Sequence, residues 1–168
     1  MYICAMNYFE LFDLPVNLKV DKSALAKKYF ELQKQFHPDF FTQEDEVNQK
    51  EALEKTSMIN KALKVLQQPD LTIQYVLQLK DLLTENEKYP LPPDFLMEMM
   101  KLNEKLTEVD PETFKQEVSA LETEQYAAVK DIIENYSDAS ITTDQLLKIK
   151  EYYFKKKYLH RILDRMVD

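Results

Sequence analysis

Glycine is absent from this chain of 168 residues, although average usage of roughly 7% would supply about 12. Glycine is the ordinary source of left-handed backbone in tight hairpins, and of loops through which a phosphate reaches main-chain N–H groups. Its absence excludes the Rossmann, P-loop and kinase-like ways of holding a nucleotide. Tryptophan is absent as well. The single cysteine, Cys4, excludes a disulfide framework and any zinc site built on cysteine pairs. His37 and His160 are the only histidines, too few for a histidine-rich metal centre, and no EF-hand spacing occurs. No resident metal or cofactor is therefore expected. No apolar run reaches the ~20 residues of a membrane span, and the first residues carry neither the basic leader nor the apolar stretch of a signal peptide. The expectation is a cytoplasmic protein without a membrane partner.

What the chain does have is charge and helical periodicity. Hydrophobic residues make up 45% and charged ones 31%, the balance of a globular domain. Residues 7–13 form a short apolar helical turn closed by Pro15. Asp21 offers an N-cap, and Leu25, Tyr29, Leu32 and Phe36 recur at spacings of 4, 3 and 4, the stripe of one helix face. That helix should stop at Phe36, because Pro38 drives His37 out of the α region. Residues 37–42 then read as an extended loop. A long helix is expected from Glu44 to about Gln67, burying Ile59, Ala62, Leu63 and Leu66. Pro69 ends it, Asp70 caps the next, and Tyr75, Val76 and Leu79 turn inward.

Residues 84–93 are polar, then proline-rich, and read as a linker. Beyond them Asp94 caps a helix whose stripe is Phe95, Met99, Leu102, Leu106 and Val109. Asp110-Pro111 opens a second helix, carrying Phe114, Val118, Leu121, Ala128, Ile132 and Tyr136. Thr142 and Gln145 make a capping box for a third, with Ile149, Tyr152, Leu159, Leu163 and Met166. Three long helices on short connections form an antiparallel bundle. The fold class is all-α in two parts: residues 6–83, the linker 84–93, and a three-helix bundle over 94–168.

Charge is unevenly spread. The chain carries −8 overall, yet between Lys19 and Phe36 five lysines (Lys19, Lys22, Lys27, Lys28 and Lys34) stand against only Asp21 and Glu31, a local +3. Such a run is either a solvated face or a patch that steers an acidic partner. A second island, residues 148–161, holds six positive charges against Glu151. It is solvated, or meets acidic protein, or touches nucleic acid; nucleic acid fits least in an acidic chain without a recognition motif. His37, Pro38 and Asp39 directly follow the first basic helix. A catalytic reading would make His37 a general acid–base oriented by Asp39. Against it, no nucleophile or cofactor loop is in view, and neighbours in an extended stretch point apart. No catalytic residue is assigned, and the protein is expected not to be an enzyme.

The short YFELF helix, the lysine-bearing helix ending in Gln35-Phe36, His37-Pro38-Asp39, and a helix with Ile59-Asn60-Lys61-Ala62 that closes on Leu66-Gln67-Gln68-Pro69 together resemble a J-domain. With the linker, Phe95-Leu96-Met97-Glu98 and the bundle that follow, the chain is similar to the HscB-type J-domain co-chaperones of iron–sulfur cluster assembly. The resemblance covers essentially residues 6–168. A generic DnaJ differs, since a glycine-rich segment follows its J-domain. The resemblance implies an N-terminal J-domain helical hairpin joined to the C-terminal bundle. It implies that His37, Pro38 and Asp39, with Lys27, Lys28 and Lys34, engage a DnaK/HscA-type ATPase chaperone and accelerate its ATP hydrolysis. It implies that the bundle holds an IscU-type iron–sulfur scaffold protein and delivers it as client. Pro38 would fix the loop so that its neighbours are presented at a lower ordering cost.

Leu96, Met97 and Met100 lie beside the stripe that accounts for core packing. They either widen the buried face or form an exposed apolar patch, a common use of adaptable methionine. The resemblance places them on the scaffold-contacting face, with Glu104 one turn on. It also places an aromatic contact at Tyr152 or Tyr153; periodicity puts Tyr152 with the core and makes Tyr153 the better candidate. The chain departs from the family pattern at Phe40, Ile73, Lys101 and Asn103. Two other functions fit the residues: a J-domain co-chaperone for another client, and a helical binding adaptor with a coincidental His-Pro-Asp.

Overall fold

The computed structural model describes residues 6–165, so Cys4 and Met166 lie outside the described residues. Among those residues every regular element is helical and no strand occurs. The chain divides into two compact units, one reaching Val76 and the other starting at Leu77, apart from Ser137–Ala139, which fall with the first.

The first unit contains α1 (Tyr8–Leu11), α2 (Lys22–Phe36), a 3₁₀ turn (Pro38–Phe41), α3 (Glu46–Gln67) and most of α4 (Pro69–Leu79). Asn7 and Glu10 cap α1 reciprocally. Helices commonly end on a left-handed glycine, which this chain lacks. Asp13, at φ 50°, takes that role after α1, with the Leu14 N–H bonded to the Phe9 carbonyl at 2.9 Å. Asp81, at φ 56°, does the same after α4, where the Leu82 N–H reaches the Leu77 carbonyl at 2.9 Å. Aspartate tolerates this region better than most side chains. Asp21 caps α2 by accepting from the Ser23 and Ala24 N–H groups.

α2 packs on α3, which buries Ala52, Ile59, Ala62 and Leu66; Leu63 is only half-buried. α4 begins at Pro69 itself, and Asp70 lies in its first turn instead of capping it. A first-turn proline loses no hydrogen bond and arrives with a helical φ. Its buried residues are Thr72, Ile73, Val76 and Leu77, whereas Leu79 is exposed, contrary to the expected inward stripe. The Thr72 hydroxyl explains the phase. Its one proton is shared between the carbonyls of Val65 and Gln68, each 3.0 Å away, and so it is satisfied while buried.

The second unit contains α5 (Pro93–Lys105), α6 (Pro111–Ala127), α7 (Lys130–Glu134) and α8 (Thr143–Asp164). α5 starts on Pro93 with Pro92 as its cap residue, so Asp94 sits inside the first turn. Phe95, Met99 and Leu102 of α5 meet Phe114 and Val118 of α6 and Leu159 and Ile162 of α8 in one core, closed by Leu106, Val109, Leu121 and Leu163. The second helix does not continue through Ala128 and Ile132. The chain leaves the helix at Val129 (φ −120°, ψ −1°), and α7 restarts out of phase. Val129, Ile133 and Tyr136 are the buried residues, and Ala128 is exposed. α8 opens on the Thr142–Gln145 capping box and buries Leu146, Ile149, Tyr152, Leu159 and Ile162. Where α8 meets α6, His160 Nε2 lies 2.9 Å from Glu122 Oε1, a buried carboxylate oxygen that accepts no hydrogen bond of good geometry. The 84–93 segment is not a free tether. Glu87 pairs with Lys150, and the Tyr89 ring stacks on Phe154 at 4.7 Å and 6°.

Candidate functional site

The residues after α2 form a compact turn. Pro38 holds His37 in the extended region (φ −62°, ψ 130°), and the His37 N–H closes α2 on the Gln33 carbonyl at 3.0 Å. The following stretch is not extended, because the φ that proline imposes is also that of a first helical position. Pro38 opens the 3₁₀ turn and His37 caps it, Nδ1 accepting from the Asp39 N–H at 3.3 Å. The Asp39 carboxylate therefore lies 3.6 Å from His37 Nδ1. The expectation that these neighbours point apart fails for this reason. Asp39 is 83% exposed and His37 about half exposed, so the turn presents the imidazole and the carboxylate together at the surface.

Two residues of α3 hold that surface in place. The Thr56 hydroxyl donates to the Phe36 carbonyl at 2.8 Å, satisfying an end carbonyl of α2 one residue before His37. Asn60 Oδ1 accepts from Tyr29 Oη at 3.1 Å and from Gln33 Nε2 at 3.3 Å, clamping the α2–α3 hairpin. Sequence reading assigns neither role. Asn60 lies within the quoted Ile59-Asn60-Lys61-Ala62 motif, and its polar side chain beside the buried Ile59 is the signal that marks it. Phe40 is 67% exposed, with its ring edge-on to His37 at 6.1 Å.

The three lysines occupy three different environments. Lys27 is exposed. Lys28 Nζ lies 2.8 Å from Asp13 Oδ2 and 4.0 Å from Glu31 Oε2. The hydrogen bond with Asp13 raises the Lys28 pKa above its ordinary value and holds the Asp13 carboxyl below its own. Lys34 sits over the Phe30 ring at 4.7 Å from its centre.

In the second unit, Met97 is 57% and Met100 63% exposed, so neither widens the core. Leu96 is half-buried and Glu104 exposed. Tyr152 is only 7% exposed and belongs to the core. Tyr153 is the more accessible ring, edge-on to Phe154 at 5.2 Å with Lys157 above it at 5.8 Å. Leu96 shares a cleft with Phe154 and Tyr158 of α8, the one member of the α5 set that reaches that helix there. Among the described residues no three His, Cys, Asp or Glu side chains gather as metal ligands, and no helix is long and apolar enough to cross a membrane.

The sequence pattern of the HSCB C-terminal oligomerisation domain matches residues 91–166. The chain is 33% identical over 171 residues to a co-chaperone protein HscB homolog of Vibrio cholerae serotype O1, covering 96% of this chain and 99% of that one. It is 34% identical over 154 residues to the co-chaperone protein HscB homolog of Photobacterium profundum, covering 86% and 90%. Among solved structures it resembles chaperone HscB from Vibrio cholerae with a TM-score of 0.72 at 27% identity, over 96% of this chain and 95% of that one. Human co-chaperone HscB gives 0.81 at 28% identity, over 96% and 81%.

Proposed function

This chain belongs to the HscB family of co-chaperones, and from that premise we propose that it couples an ATPase chaperone to an iron–sulfur scaffold protein. The His37-Pro38-Asp39 turn, with Lys27, Lys28 and Lys34 on the helix before it, binds a DnaK/HscA-type chaperone and stimulates its ATP hydrolysis. The bundle, residues 94–168, holds an IscU-type scaffold on Leu96, Met97, Met100, Glu104 and Tyr153, and delivers it as client. His37 and Asp39 perform no chemistry of their own in this account. They contact the partner, which does the hydrolysis.

The observation that carries this reading is the turn itself. A histidine and an aspartate are held 3.6 Å apart on an exposed 3₁₀ turn, braced by Thr56 and Asn60, at the end of a helix rich in lysine. A rigid, preformed contact lowers the ordering cost of binding. The test is chaperone ATPase stimulation by His37→Gln and Asp39→Asn. Both should fall to the unstimulated rate, while folding stability stays within about 0.5 kcal/mol of the parent, as for exposed positions generally. Parent-like stimulation by either variant would assign the turn a purely structural role.

A further inference from the structure

Four of the six cations in the basic island of α8 fall into two groups. Lys150 is neutralised by Glu87 and Lys155 by Glu151 at 2.6 Å. Lys157 and Arg161, four residues apart and so on one face of the helix, have no carboxylate within ion-pair distance among the described residues. With Lys88 they rim a cleft of about 510 Å³. The one carboxylate lining it, Glu87, is the one already paired with Lys150. The cleft is therefore a positive site on a chain of net charge −8. Its walls are apolar, formed by the stacked Tyr89 and Phe154 rings together with Tyr158 and Leu96.

We infer that this cleft receives an extended acidic segment of the client protein, its carboxylates meeting Lys88, Lys157 and Arg161 and one apolar side chain resting on the aromatic wall. Three separate flexible cations suit carboxylates distributed along a peptide. A phosphate-bearing ligand fits less well. Pro90, Pro92 and Pro93 withdraw backbone N–H donors from this edge, and the chain has no glycine to open a phosphate cradle. Leu96 belongs both to this cleft and to the proposed client face of α5, so the two surfaces are continuous. The identity of the partner rests on the proposed function; the acidic chemistry of the ligand does not.

The experiment uses the full chain and two probes: the scaffold protein, and a fluorescein-labelled peptide alternating glutamate with leucine and phenylalanine, with its glutamine counterpart as control. The Lys157→Glu/Arg161→Glu double variant should weaken both probes by about tenfold or more at low salt, with a parent-like melting curve. If that pair disturbs folding, Lys157→Gln/Arg161→Gln is read in its place. Met97→Ser/Met100→Ser should weaken the scaffold and leave the peptide unaffected. Equal binding of the glutamate and glutamine peptides overturns the inference, as does competition by a single-stranded oligonucleotide that outbinds the peptide. Scaffold binding sensitive to Met97 and Met100 but indifferent to the cleft variant overturns it while the proposed function stands. Peptide binding that follows the cleft charges, on a chain that holds no scaffold, supports the cleft and removes the scaffold reading.

Discussion

At the residue scale, charges of one sign have different fates according to their neighbours. Lys28 is held by Asp13, whereas Lys27 is exposed, although the two are adjacent in sequence. Chaperone association should weaken as salt rises to physiological strength, because exposed charges separated by more than about 8 Å are then largely screened. Lys27→Ala should slow association without moving the melting temperature. Lys28→Ala should do both, since it also releases Asp13. Stopped-flow association and melting curves on the two variants separate these effects, and salt-independent association would leave the cluster a solvated face. Glu87 gives a pH-dependent counterpart. The hydrogen bond from Lys150, then that from the Thr84 N–H, holds its carboxyl below the ordinary carboxylate range. A depressed folded value contributes stability above the unfolded pKa and loses it as pH falls through the folded one. Glu87→Gln should therefore melt below the parent at pH 7, and the gap should close below pH ~4. A gap that persists in acid would show that the bond, and not the charge, matters there.

At the element scale, periodicity and capping were legible wherever local chemistry decides. Leu25 on α2, the Phe95–Met99–Leu102 stripe and the Thr142–Gln145 box all lie where spacing and caps place them. Three features were not legible, each for a physical reason. The His37–Asp39 contact depends on proline serving both as helix terminator and as first residue of the next turn. The phase of α4 depends on carbonyls that satisfy a buried threonine, including one from α3. The slip at Val129 is a backbone event without proline or glycine to announce it. The accessible residues of α5 were legible only as a remainder, the apolar side chains that the core does not need. That distinction is testable. Phe95→Ser should destabilise the fold by about 3 kcal/mol or more, as for large buried side chains. Leu96→Ser/Met97→Ser/Met100→Ser should leave most stability in place and cost about 2 kcal/mol or more in scaffold affinity. If the triple variant melts like Phe95→Ser, those three belong to the core and the binding face lies around Tyr153.

At the scale of the whole molecule, the account gives the chain one task, to bring a client and an ATPase together. Covalent linkage raises the effective concentration of the second partner once the first is bound. The residues before α5 belong functionally with the bundle, because Tyr89 stacks on Phe154 and Glu87 pairs with Lys150. A fragment of residues 84–168 should therefore outlast one of residues 91–168 by about 1 kcal/mol, the scale of one aromatic pair beyond its buried area. We propose on that basis that the functional boundary lies before residue 84, with 84–93 going with the bundle. The most direct measurement is single-turnover ATP hydrolysis by a DnaK-type chaperone with IscU-type scaffold present, comparing the intact chain with an equimolar mixture of residues 1–83 and 84–168 at low concentration. The account predicts that the intact chain stimulates at least about tenfold more than the mixture, and that scaffold increases its effect. Equal rates from the chain and the mixture, or an intact chain indifferent to scaffold, would contradict it.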